Sequence, residues 1–110
     1  MKSILIDDLR TIDADVVCRT FETGINALKT LGPFGILFLD HDLGQLDEDG
    51  HEIRCTIDGQ AYRANGYGVV CFLENNPEFL PIEIRIVSSN PVGRRNMQAV
   101  IDRLYHKENV

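Results

Sequence analysis

The chain has 110 residues, with 17 Asp or Glu against 11 Lys or Arg and a formal charge of -6. That length fits one domain, residues 1–110, since single cores usually run to about 100–200 residues. The acidic balance argues against general DNA binding and against a membrane-surface role, both of which need a basic face.

Residues 3–6 form a short apolar run that stops at Asp7-Asp8, the pattern of a buried strand. Residues 15–20, rich in β-branched side chains, predict a second strand. Only a brief turn joins the two, so a helix between them is absent or cut to about one turn. Phe21, Ile25, Leu28 and Leu31 then recur at helical spacing, with Thr20 placed to cap and Gly32-Pro33 placed to stop the helix. Residues 34–39 are the most apolar strand and end at Asp40, followed by a loop dense in Gly and acids over 43–50. Residues 51–63 have strand character on both sides of Asp58-Gly59, a strong hairpin signal. A short helix is expected over 66–75, stopped before Pro77. Residues 82–87 predict another strand, followed by Ser88-Ser89-Asn90-Pro91. Met97, Val100, Ile101 and Leu104 then mark one face of a final helix.

Strands alternating with helices imply crossover units and an open, mainly parallel α/β sheet of about four core strands, with the 51–63 hairpin as an insertion. Cys18, Cys55 and Cys71 have no CxxC spacing and sit in apolar runs, which argues against a disulfide framework or zinc site. The first apolar run is too short for a signal peptide, and no segment approaches the roughly 18 apolar residues of a membrane span. A reducing cytoplasm is the expected location, with no membrane partner.

Two acidic groups follow two apolar strands: Asp7-Asp8 after the first, Asp40 and Asp42 after the third. Ligands of open parallel sheets bind outside the strand C-termini, where strand order reverses. If these two strands are neighbours, the four acids converge and need a cation or protons to coexist. An oxygen-rich site with open positions suits Mg²⁺. The other reading is that strand-end acids only cap turns. A calcium loop starting at Asp40 fits poorly, with Gln45 at the sixth position and His51 at the twelfth.

Asp7-Asp8, Leu39-Asp40 and Ser88 at three strand ends resemble a receiver domain, the flavodoxin-like module of response regulators. That resemblance implies Mg²⁺, or Mn²⁺ in its place, on Asp8 and Asp40 with the Asp42 carbonyl, and Asp7 close behind. It also implies a Ser88 hydroxyl on the phosphoryl group. Receivers also carry a Lys-Pro after a fifth strand, and Lys2, Lys29 and Lys107 do not match it. Ile6-Asp7-Asp8-Leu9-Arg10, Leu39-Asp40-His41-Asp42-Leu43-Gly44 and Ser89-Asn90-Pro91-Val92-Gly93 with Asn96-Met97 more closely resemble the cyclic-phosphate-processing receiver-like domain of bacterial and phage proteins. This resemblance implies handling of cyclic phosphate ends on nucleotides or RNA.

His41, between two acids, is a general acid or base in such a site, or else a histidine that only packs. Backbone N–H groups at Ser88–Asn90 before the last helix could receive phosphate, with Ser89 and Asn96 beside them. Arg94 and Arg95 sit in that helix's first turn, where cations are unfavourable without an anionic partner. Asn90 is a ligand contact or an ordinary N-cap. Arg10 binds phosphate or neutralises Asp7 or Asp8. Arg54, Tyr62 and Arg63 form a lid, or an exposed hairpin without chemistry.

The expectation is a metal-dependent phosphoesterase or phosphodiesterase, a hydrolase acting on a small phosphorylated ligand such as a cyclic nucleotide or an RNA end. Asp40, His41 and Ser88 would be its catalytic residues. Two alternatives stay open: a signalling receiver phosphorylated on Asp40, and a nucleotide-sequestering protein without turnover.

Overall fold

The computed structural model describes residues 1–106. Strands β1 (Ser3–Ile6), β2 (Val16–Cys18), β3 (Ile36–Leu39) and β6 (Glu83–Ile86) form one parallel sheet in the order β2-β1-β3-β6. β4 (Arg54–Ile57) and β5 (Gln60–Arg63) make a separate antiparallel hairpin. The helices are α1 (Phe21–Thr30), α2 (Gly66–Asn75) and α3 (Pro91–His106), with a 3₁₀ turn over Pro77–Phe79 that sequence periodicity does not reveal. The sheet is thus the reduced receiver-like α/β fold, with a hairpin between β3 and α2.

The three helices pack in series, α1 on α2 and α2 on α3, against one face of the sheet. That face carries Ile4, Ile6, Leu37 and Leu39, which join Phe21, Ile25, Phe72, Leu73, Met97 and Val100 in the main core. No helix lies between β1 and β2, so the layer that such a helix would supply is missing. On the opposite face Leu5 is fully buried, while Val17 beside it in the register is 45% exposed.

The strands are shorter than the apolar runs suggest. Thr20 leaves the second run to cap α1, where it and Thr23 form a reciprocal capping box. Asp15 turns its carboxylate to the Ser3 N–H and hydroxyl instead of entering the ladder. The hairpin turn follows its signal: Asp58 and Gly59 both have positive φ, 52° and 84°, as a two-residue type I′ loop needs. Tyr62 is not part of a lid. It is buried between the rings of Phe21 and Phe72, so it anchors the hairpin to the core. Among the described residues no helix is long and apolar enough to cross a membrane.

Candidate functional site

β1 and β3 are neighbours in register, Ile6 opposite Leu39, at the point where strand order reverses. Both chains therefore leave the sheet side by side, and the Asp40 N–H still bonds the Ile6 carbonyl at 3.1 Å. Asp7, Asp8 and Asp40 each offer a carboxylate oxygen within 4.8 Å of the others. Together with Arg10, Asp42 and Ser89 they line a hollow of about 290 Å³.

The three acids are held differently. Asp7 is only 1% exposed. Its Oδ1 accepts from the N–H groups of Leu9 and Arg10 at 3.0 and 2.9 Å, which fixes the loop after β1. Its Oδ2 is buried without a hydrogen bond; Arg10 Nη1 stands 3.5 Å away, near enough for ionic attraction but outside hydrogen-bond geometry. A buried carboxylate oxygen left open carries a desolvation cost that a cation would relieve. Asp8 lies over Gly44, where a Cβ would come within 2.9 Å of its Oδ2; Gly44 also has a φ of +67°, so glycine satisfies both demands. Burial, and then the charge of Asp7, push the Asp40 carboxyl above its ordinary range. The His41 N–H, the Ser88 hydroxyl and Arg10 offset part of that rise. Arg19, at the end of β2, donates to the carbonyls of Asp7 and Arg10 and pins this loop from outside.

Asp42 forms a ridge on the edge of the hollow. One carboxylate oxygen bonds His41 Nδ1 at 2.9 Å, and the other accepts a longer contact, 3.4 Å, from Asn90 Nδ2. His41 itself faces a larger cleft of about 590 Å³ on the far side of that ridge, with Asn90 and Asn96. Two glycines allow this packing. A Cβ on Gly66 would strike the Asp40 carbonyl, and one on Gly93 would overlap the His41 ring.

The residues expected at the site thus separate into groups. Arg10 and Ser89 line the hollow. Ser88 is buried behind it, its hydroxyl accepting from the Asn90 N–H at 3.1 Å. Asn90 is the N-cap of α3, its Oδ1 receiving the Gly93 N–H at 3.0 Å, and it also lines the cleft. Arg94 folds back to the Ser88 carbonyl at 2.8 Å, so a backbone oxygen partners its guanidinium in that first turn. Arg95 is exposed and lines neither cavity. Asp47, Asp49 and His51 form a separate, exposed cluster. Arg54 lines a small hollow beside the hairpin. The three thiols are pushed upward chiefly by burial, as befits core cysteines.

Residues 2–103 match the family model of the cyclic-phosphate processing receiver domain. The chain belongs to that family. No curated protein and no solved structure matches it. The matched span runs through the hairpin and takes in every acid of the hollow. In this receiver domain the only basic side chain lining the hollow, among the described residues, is Arg10. Lys2 lies over the Phe34 ring and Lys29 pairs with Asp58, so neither serves the site; Lys107 falls outside the described residues.

Sequence reasoning passed over Arg19, which stands directly after a strand and was open to the strand-end rule. It also passed over Glu52, Asn65, Tyr67 and Arg103, which reach the cleft from the segment before β4, the cap and first turn of α2, and α3. Nothing in the local pattern marks those four, because the packing of α2 on α3 and the Asn65–Glu52 hydrogen bond bring them together.

Proposed function

We propose that this receiver domain holds Mg²⁺ or Mn²⁺ in the acidic hollow and hydrolyses a cyclic or terminal phosphate carried by a nucleotide or RNA-derived substrate. One observation carries the reading: three carboxylates converge at the strand switch point, and one has a buried oxygen with no hydrogen-bond donor. The donor set is all oxygen, which suits these hard cations. Asp8 and Asp40 would hold the cation, with Asp7 braced behind them by two backbone N–H groups. When bound, the cation supplies charge to polarise phosphoryl oxygens and lowers the pKa of water.

The remaining work falls to the chain's own side chains. Arg10 and Ser89 face the same hollow and orient the phosphate. The contact of His41 Nδ1 with the Asp42 carboxylate would hold the ring proton on Nδ1 and leave Nε2 free to accept one. His41 Nε2 would take the proton of the attacking water as the water oxygen bonds phosphorus, and return that proton to the ribose oxygen as its P–O bond breaks. Ser88 steadies Asp40 and the turn into α3 instead of contacting substrate.

The test is hydrolysis of 2′,3′-cyclic, 3′,5′-cyclic and sugar-linked cyclic phosphates with and without Mg²⁺. Turnover that needs the cation and vanishes in a folded Asp40→Asn variant is expected. Turnover that survives either change removes the hollow from the chemistry. A ligand bound tightly and recovered unchanged would select sequestration over catalysis.

A further inference from the structure

The acidic hollow is not the largest cavity of the molecule. The 590 Å³ cleft beside it is within the range of small-molecule sites and is larger than a phosphate group alone requires. It lies between the end of β5, the first turn of α2 and the outer face of α3. We infer that this cleft binds the nucleoside of the substrate, with Arg63, Tyr67 and Asn96 as the residues that select it. The inference rests on the proposed phosphate site and extends it.

Three features support a base with its ribose. First, the cleft and the hollow share a wall: Asp42 lines the hollow, and His41 and Asn90, both bonded to it, line the cleft. A ligand with its phosphate in the hollow therefore projects its organic part past His41 into the cleft. Secondly, the lining combines a planar ring, Tyr67, with a planar guanidinium, Arg63, the surfaces on which unstacked bases lie. Thirdly, the lining includes the Asn96 amide, which donates and accepts at once and matches the mixed edges of a base. Asn96 and Arg63 have no side-chain partner among the described residues, while Asn65 is committed to Glu52 and to capping α2. Arg103 is likewise held, paired with Glu74, and closes one end of the cleft. The free groups are therefore the ones placed to read a ligand.

The experiment uses the whole chain with MgCl₂ and isotope-edited NMR. The probes are adenosine, guanosine, cytidine and uridine 2′,3′-cyclic monophosphates, with ribose 5-phosphate as the base-free control. At least one nucleotide should bind tenfold or more tightly than the control and shift the amides of Arg63, Tyr67 and Asn96. Arg63→Ala and Asn96→Ala, both exposed positions, should each weaken the nucleotide several-fold without changing the control. A terminal 2′,3′-cyclic trinucleotide identifies the source: tighter binding than the mononucleotide indicates an RNA end, and weaker binding indicates a free nucleotide. Equal affinity for nucleotide and control, no shift at the cleft, or no nucleotide binding overturns the inference. Shifts at Asp8 and Asp40 with the base-free phosphate report on the hollow separately, so either proposal can fail alone.

Discussion

Replacing Asp40 by Asn separates the burden of the acidic cluster from its use. Two unit charges 4.8 Å apart repel by about 3 kcal/mol at an effective dielectric of about 20. Asp40 is only partly buried and Arg10 offsets some of its charge, so solvent screening reduces the recoverable energy to about 1 kcal/mol. Without metal, Asp40→Asn should therefore raise the melting midpoint by about 4–8 °C. The pH dependence has a definite sign. Because the folded protein holds this proton more tightly than the unfolded chain, whose ordinary value is 3.8, wild-type stability falls as pH rises from there through the folded value. The gain from Asn should thus be smaller at pH 4 than at pH 7. Mg²⁺ at a hundred times its dissociation constant should stabilise the wild type by about 2.7 kcal/mol, and the variant by much less. Thermal melts in EDTA and in MgCl₂ at both pH values measure all four states. A variant less stable than wild type in EDTA at pH 7, or one with an undiminished Mg²⁺ shift, would refute the reasoning.

Other consequences are equally direct. Gly93→Ala inserts a methyl into the His41 ring, so it should break the His41–Asp42 contact and lower turnover while leaving Mg²⁺ affinity intact. Imidazole ¹⁵N shifts unchanged from wild type would count against that. His41→Ala should lower kcat by about 10²-fold or more if it moves a proton, measured by single turnover. Asn90→Ala removes the α3 cap and should cost about 1 kcal/mol in urea unfolding. Tyr62→Ala empties the space between Phe21 and Phe72 and should cost about 3 kcal/mol, whereas a hairpin acting only as a lid would lose almost nothing. Beryllofluoride with Mg²⁺ should leave the spectrum of the α3 N-terminus unmoved; a strong response would favour phosphorylation on Asp40.

The parallel sheet was legible because its signals are local. Short apolar runs end at acids, the first helix carries its cap in sequence, the second its stop, and Asp58-Gly59 specifies its own turn. The meeting of Asp7, Asp8 and Asp40 followed from one topological rule, the switch point between β1 and β3. What stayed hidden depends on packing between distant elements. Arg94 reads as an anion site in sequence, and only the fold shows its guanidinium on the Ser88 carbonyl. Tyr62 reads as part of an exposed hairpin or a lid because alternation along a hairpin does not say which face meets the core. The direction of His41 is equally silent in sequence, since Gly93 must first let α3 approach the ring.

That direction carries the argument about chemistry furthest. A phosphoacceptor site needs a cation to balance the phosphoryl charge from the side opposite the metal. Here the fifth strand that brings a lysine to receivers is absent among the described residues, and Arg10 stands on the acidic side, already drawn to Asp7. An aspartyl phosphate on Asp40 would therefore add charge where three carboxylates already crowd, with no lysine lining the hollow among the described residues. A bound phosphodiester adds less charge and leaves after hydrolysis, and the His41–Asp42 pair stands between the hollow and a cleft large enough for the rest of such a ligand. On this proposal the arrangement favours turnover over a lasting phosphoryl group, because hydrolysis needs a proton acceptor near the phosphate more than a lasting counter-charge.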